Sequence, residues 1–206
     1  MKKEGKIIVF IALILIITLS FFLDKELIQA ISLLRNNIFD SFFLGITFAS
    51  SEIIIFFVLT AFFLWAEHKR EWIFPLWACL GASAVISLIL KITVQRLRPF
   101  QLGFISLIPQ LQEASYAIWN FSFPSFQSML VFSAIPILSK QFPRLKNVWV
   151  IFAVLVAFSR LYFGVHFVSD VIIGAVIGYL IGVLVVRLEK DNHWGKDIYK
   201  KIFRRK

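Results

Sequence analysis

The sequence has a single cysteine, Cys79, three histidines, and 12 acidic residues against 22 basic ones. One cysteine excludes an intramolecular disulfide and any cysteine-based metal cluster, and its place inside an apolar run fits a small buried side chain. Two of the histidines are explained by their surroundings. His68 belongs to the charged turn Glu67-His68-Lys69-Arg70-Glu71, and His193 to a hydrophilic basic tail. No internal repeat and no low-complexity block occurs. A cleavage site is also missing where one would be looked for. Lys2, Lys3 and Lys6 precede an apolar run to about Leu23, as in a secretory signal, but Phe21-Phe22-Leu23-Asp24-Lys25 follows in place of small residues. The segment therefore reads as an uncleaved first helix.

What is abundant is apolar: 59% of the residues are hydrophobic and 24 are phenylalanine, arranged in runs that approach the roughly 20 residues needed to cross a bilayer. This predicts an all-α integral membrane bundle of six transmembrane helices, at about 7–23, 53–66, 72–90, 125–138, 148–158 and 167–186. Leu27, Ile31, Leu34 and Ile38 recur at helical spacing among polar residues and predict an interfacial amphipathic helix within 24–50. Between the third and fourth crossings lies a connector too polar to cross, with Gln101, Gln110, Gln112, Glu113 and Asn120. Gly174, Gly178 and Gly182, four apart, suit close helix packing. The expected division is a transmembrane unit, 1–186, and a basic tail, 187–206.

The net charge of +10 does not point to nucleic acid, because the basic residues fall mainly at the ends of apolar runs and in the tail, where they orient and anchor helices among membrane lipids. With six crossings both termini share a side, and that side collects most of the lysines and arginines. The other keeps Lys25, Arg35, Lys91, Arg96, Arg98 and Arg160. The positive-inside rule then places both termini in the cytoplasm.

Three stretches emerge together on the opposite, extracytoplasmic face. In Ser159-Arg160 through His166 to Asp170, charge sits in an otherwise apolar sequence, where it is costly unless used. If helix begins near Phe167, His166 and Asp170 share a face, so the carboxylate can take a proton from one ring nitrogen and leave the other free to attack. A snorkelling arginine and a capping aspartate would account for the same residues. Lys91 and Arg98, seven apart, predict two cations on nearly one helical face, with the helix ending by Pro99. Pro124-Ser125 predicts a helix start with a capped, positive end, a ready anion site.

Lysine, six residues, Arg-Pro; then Pro-Ser; then Ser-Arg, five residues, His, three residues, Asp: this ordered set resembles the type-2 phosphatidic acid phosphatase family, related to the vanadium haloperoxidases, over 91–170. The resemblance implies phosphate binding by Lys91, Arg98, Ser125 and Arg160, attack on phosphorus by His166, and orientation of that ring by Asp170, with no metal and no other cofactor. One departure matters. The family's second motif usually reads Pro-Ser-Gly-His, and here it reads Pro124-Ser125-Phe126-Gln127. The histidine thought to protonate the leaving group is Gln127, which can donate a hydrogen bond to phosphate but cannot deliver a proton at neutral pH. The flexible glycine is Phe126.

Expelling an alkoxide, about as basic as hydroxide, needs a proton, whereas a lipid monophosphate, with a second pKa of about 6, leaves without one. The expected activity is therefore hydrolysis of a lipid phosphate, by preference a polyprenyl diphosphate, through a phosphohistidine. A phosphotransferase resolving the same intermediate with another lipid, a catalytically silent lipid-phosphate binder or transporter, and a structural scaffold are the alternatives.

Overall fold

The computed structural model describes residues 3–108, 111 and 121–203; Gln110, Gln112, Glu113 and Asn120 of the expected connector lie outside the described residues. Among the described residues there is no strand. The helices are α1 (Lys3–Ser32), α2 (Asn37–Ala49), α3 (Glu52–Trp65), α4 (Ile73–Val94), α5 (Phe126–Gln141), α6 (Lys146–Tyr162), α7 (Val168–Asn192) and α8 (Trp194–Phe203).

The stretch 24–50 is not one interfacial helix. Neither proline nor glycine follows Leu23, and the Asp24 carboxylate is neutralised by Arg96 at 2.8 Å, so its charge does not end α1, which runs on to Ser32. Asn36 starts α2 afresh, its side-chain oxygen accepting from the backbone N–H groups of Ile38 (3.1 Å) and Phe39 (3.0 Å). The α2 and α3 axes are bent by 61° at Ser50-Ser51, with Ser51 capping α3. At 14 residues α3 is short for a crossing by itself. Among the described residues three helical stretches, Glu67–Val94, Pro143–Tyr162 and Val168–Asn192, are long and apolar enough to cross, or four if α2 and α3 form one broken span. Large apolar side chains point outward along α1, α3, α4, α6 and α7, as a lipid-facing surface requires.

At the centre α5 packs along α7 more extensively than any other pair. The glycine stripe makes this possible. A Cβ added at Gly174, Gly178 or Gly182 would lie 2.6, 2.1 or 2.2 Å from the backbone carbonyl oxygens of Ser125, just before α5, and of Met129 and Ser133 on it. Even alanine must push the two backbones apart. Gly178→Ala is expected to cost roughly 1–3 kcal/mol, the range for overpacking a tight core. At Gly81 an added Cβ meets no neighbouring element within 4 Å, so Gly81→Ala should not destabilise the fold. Thermal unfolding of both variants in detergent checks this, and equal midpoints would refute the packing argument. Gly174 abuts Ser125 itself, the residue that precedes α5.

The far end of the bundle is pinned by charge. Glu189 accepts from the N–H groups of Gly195 (2.7 Å) and Lys196 (3.2 Å), and the Lys196 ammonium lies 3.4 Å from Glu71. Residues 194–203 of the expected hydrophilic tail are thus helical and docked, and α7 runs past Val186 to Asn192. His68 and His193 are both exposed.

Candidate active site

The ends of α4 and α6 and the starts of α3, α5 and α7 meet at one end of the bundle. Gln95, in the left-handed conformation (φ 51°, ψ 34°), closes α4 at Val94, earlier than Pro99 predicts. Lys91 therefore stays on the helix while Arg98 lies on an irregular segment, and the expected shared helical face does not exist. Tertiary ion pairs outweigh the missing turn. Arg96 donates to Asp170 and Ser169 (both 2.7 Å) and to Asp24 (2.8 Å). Lys91 is buried and donates to the Phe121 carbonyl at 2.5 Å. Arg98 donates to the Val165 carbonyl at 2.8 Å, and its backbone N–H donates to the Gln101 side chain at 2.8 Å.

After α6 the chain reverses at Gly164, whose φ of 64° suits a residue without a Cβ. This turn presents the Val165 carbonyl to Arg98 and delivers His166 to the site. Asp170, in the first turn of α7, reaches back to accept from the Phe167 N–H at 2.8 Å. The His166 ring is held differently from the expected pairing. Its Nδ1 lies 2.6 Å from the Ser122 carbonyl, so Nδ1 carries the proton and Nε2 the lone pair, whereas Asp170 Oδ2 is 3.9 Å from Nδ1. The carboxylate instead fixes the surroundings, accepting also from the Ser122 hydroxyl and from Arg96. Ser122 thus links Asp170 to the ring.

His166 is 1% exposed. Burial, helped by the positive charges of Arg98 and Lys91 and opposed by Asp170, pushes its pKa down to about 3. Burial also lowers the Arg98 guanidinium to about 10, leaving it charged at neutral pH. Because the unfolded imidazole titrates near 6.5, the unfolded chain binds the extra proton first as pH falls, so this group weakens the fold below pH ~6.5 while the native ring stays neutral. Histidine ¹⁵N spectra in micelles should show a neutral His166 at pH 5. Titration of that ring near 6.5 would contradict the burial argument.

A cavity of about 280 Å³ opens at this end, and its walls include Thr47, Glu52, Arg98, Gln127, Arg160 and His166. Arg98, Gln127, Arg160 and His166 of the expected set therefore share one space. Lys91, Ser125 and Asp170 do not line it. Arg160 sits in the last turn of α6, not beyond it, and its guanidinium donates to the hydroxyls of Ser159 (3.1 Å) and Thr47. Ser125 precedes α5 as its N-cap, with Pro124 outside the helix, and is fully buried; its hydroxyl accepts from Ser128 at 3.0 Å and its N–H donates to the Asp170 carbonyl at 3.1 Å. Gln127 donates to the Glu52 carboxylate at 3.2 Å. Phe126 turns to a separate apolar cavity of about 350 Å³, walled also by Ile53, Trp77 and Leu80, which shares Glu52 with the polar one.

Asp24, Thr47, Glu52, Arg96 and Ser122 escaped the sequence reading. Glu52 carries a signal as a lone acid at the start of an apolar run, Asp24 as the acid that directly follows one, and Arg96 as a cation inside the first motif on the sparsely charged face. Ser122 and Thr47 carry none.

The fold and this cluster define a multi-pass, all-helical membrane protein with a histidine and two arginines around a small polar cavity at one end of the bundle. The chain belongs to the PAP2 superfamily, whose sequence model matches residues 72–194. It is 31% identical over 175 residues to phosphatidylglycerophosphatase B of Bacillus subtilis, covering 79% of this chain and 81% of that protein. Two crystal structures share the fold. One is the transmembrane PAP2-type phosphatidylglycerolphosphate phosphatase from Bacillus subtilis, with a TM-score of 0.67 and 25% identity over 88% of this chain and 96% of that one. The other is LpxE of Aquifex aeolicus, with a TM-score of 0.66 and 27% identity over 80% and 95% of the two chains.

Proposed function

We propose that this chain is a membrane lipid phosphatase, a phosphoric ester hydrolase acting at the extracytoplasmic face through a phosphohistidine on His166. The carrying observation is a buried histidine, its Nδ1 tied to the Ser122 carbonyl, in the same small cavity as Arg98 and Arg160. Membership of the PAP2 superfamily and similarity to lipid phosphatases support the reaction class. The adjoining apolar cavity supports a lipid substrate.

In this reading Arg98 and Arg160 hold the non-bridging oxygens, with Gln127 as a neutral donor. Lys91 adds positive potential from behind the cavity wall, and Ser125 and Asp170 position the surrounding backbone. The His166 Nε2 lone pair forms the N–P bond while the bridging oxygen leaves with its bonding pair. Water then cleaves the N–P bond. Asp170 acts through Ser122 and the Phe167 amide, and Arg96 in turn neutralises Asp170 and Asp24.

Gln127 determines the preferred substrate. With an amide in place of the family's acid, a leaving group that needs no proton is favoured, so a polyprenyl diphosphate should be converted to its monophosphate faster than a monoester is hydrolysed. The names of the Bacillus relatives point instead to a phosphate monoester. Six crossings, with α1, α3 and α5 crossing besides α4, α6 and α7, would place 187–206 as a basic cytoplasmic segment and the cavity outside.

The silent-binder reading rests on the same Gln127, and a phosphotransferase would share every residue named here. Phosphate release by the purified protein, supplied in parallel with a polyprenyl diphosphate and its monophosphate, separates these. Faster release from the diphosphate supports the proposal. Release from neither, with retained affinity for phosphate analogues, identifies a binder, and phosphate found on an added lipid alcohol identifies a transferase.

A further inference from the structure

We infer that Glu52 is the general base that activates water for the second half of the reaction, with Gln127 holding it in place. This rests on the phosphohistidine reading above. The first half can proceed without a proton donor when the leaving group is a weak base, but the second half cannot be treated alike. Water attacking the phosphohistidine must lose a proton as its oxygen bonds to phosphorus, and Gln127 has no site to take one. Another group in reach has to accept it.

Among the described residues walling the cavity, Glu52 is the one carboxylate. It stands in the first turn of α3, where the 61° bend between α2 and α3 turns this end of the pair onto the site. Its side chain is solvent-exposed, so water reaches it directly. Gln127 Nε2 donates to Glu52 Oε1 at 3.2 Å, leaving Oε2 as the oxygen this bond does not engage. The glutamine at the family's histidine position is thereby a tether for a carboxylate brought in from another helix. Arg98 and Arg160, lining the same cavity, offset the repulsion between that carboxylate and a bound phosphoryl group.

The step balances. Water oxygen bonds to phosphorus, the N–P pair returns to His166 Nε2, one water proton passes to Glu52 and the other leaves on the phosphate. Glu52 then releases its proton to solvent. In this step Glu52 touches the attacking water and is catalytic, while Gln127, whose other N–H is the neutral donor to phosphate, positions Glu52.

Glu52→Gln keeps the shape and removes the basicity. Steady-state phosphate release should fall by about 10² to 10⁴-fold, the usual worth of general base catalysis, while a burst of alkali-stable, acid-labile phosphoenzyme forms at the wild-type rate and persists. Formate, a small carboxylate, should restore turnover in Glu52→Ala without altering the wild type. Turnover of Glu52→Gln within a few-fold of wild type, or a loss with neither phosphoenzyme accumulation nor formate rescue in Glu52→Ala, would overturn the role of Glu52. Failure of the underlying reading looks different: no phosphoenzyme would form in the wild type, and His166→Ala would remain active.

Discussion

Replacing His166 by alanine is expected to abolish phosphate release from lipid diphosphates and monophosphates alike, to the background of the uncatalysed reaction. No weaker outcome fits the geometry. The other two histidines are exposed and outside the cavity, so neither can be phosphorylated in its place. The variant also separates chemistry from binding, because Arg98 and Arg160 remain, so phosphate analogues should still bind. His166 makes its Nδ1 hydrogen bond at one end of the bundle and takes no part in the α5–α7 glycine contact, so the bundle should survive. Full activity in a folded His166→Ala protein would remove the nucleophile from this account.

The second large effect concerns Gln127. Gln127→His restores an acid where the amide stands, and general acid catalysis is typically worth about 10² to 10⁴-fold for a leaving group that needs it. The kcat/KM for the monophosphate should therefore rise by one or more orders of magnitude while that for the diphosphate changes little, so the ratio of the two narrows. The diphosphate value holds because kcat/KM ends with phosphoenzyme formation and does not include the later step in which Glu52 and its Gln127 tether act. Phe126 stands where the family carries a glycine whose bare backbone can approach phosphate closely. The side chain of Phe126 faces the apolar cavity instead, so the single variant should suffice. An unchanged ratio, measured on both substrates in one detergent, would contradict the link between Gln127 and substrate preference.

The two effects bear on how far the residues could be read before the structure. The all-helical membrane class was legible because long apolar runs have no other stable use, and the glycine stripe because spacing by four fixes one helical face. His166, Arg98, Arg160 and Gln127 meet in one cavity as their motifs suggest. Local geometry was less legible. Whether α4 continues to Arg98 depends on Arg96 finding Asp24, 72 positions away, a contact that no local spacing encodes. The same holds for Ser122, whose carbonyl accepts the Nδ1 hydrogen bond that the i, i+4 rule assigns to Asp170. Glu52 reads as an ordinary acid in the first turn of a helix until the α2–α3 bend sets it beside Gln127. Backbone carbonyls and distant partners decide these positions, and a one-dimensional pattern shows neither.

The central claim, that phosphorus passes through His166, is tested most directly by trapping the intermediate. Purified wild-type protein mixed with a polyprenyl diphosphate labelled with ³²P at the terminal phosphate, quenched in alkali within the first turnover and digested, should yield one labelled peptide. The account predicts an acid-labile label on the peptide that contains His166. A label on any other residue, or stoichiometric phosphate release from the wild type with no labelled peptide on any timescale of quenching, would contradict it.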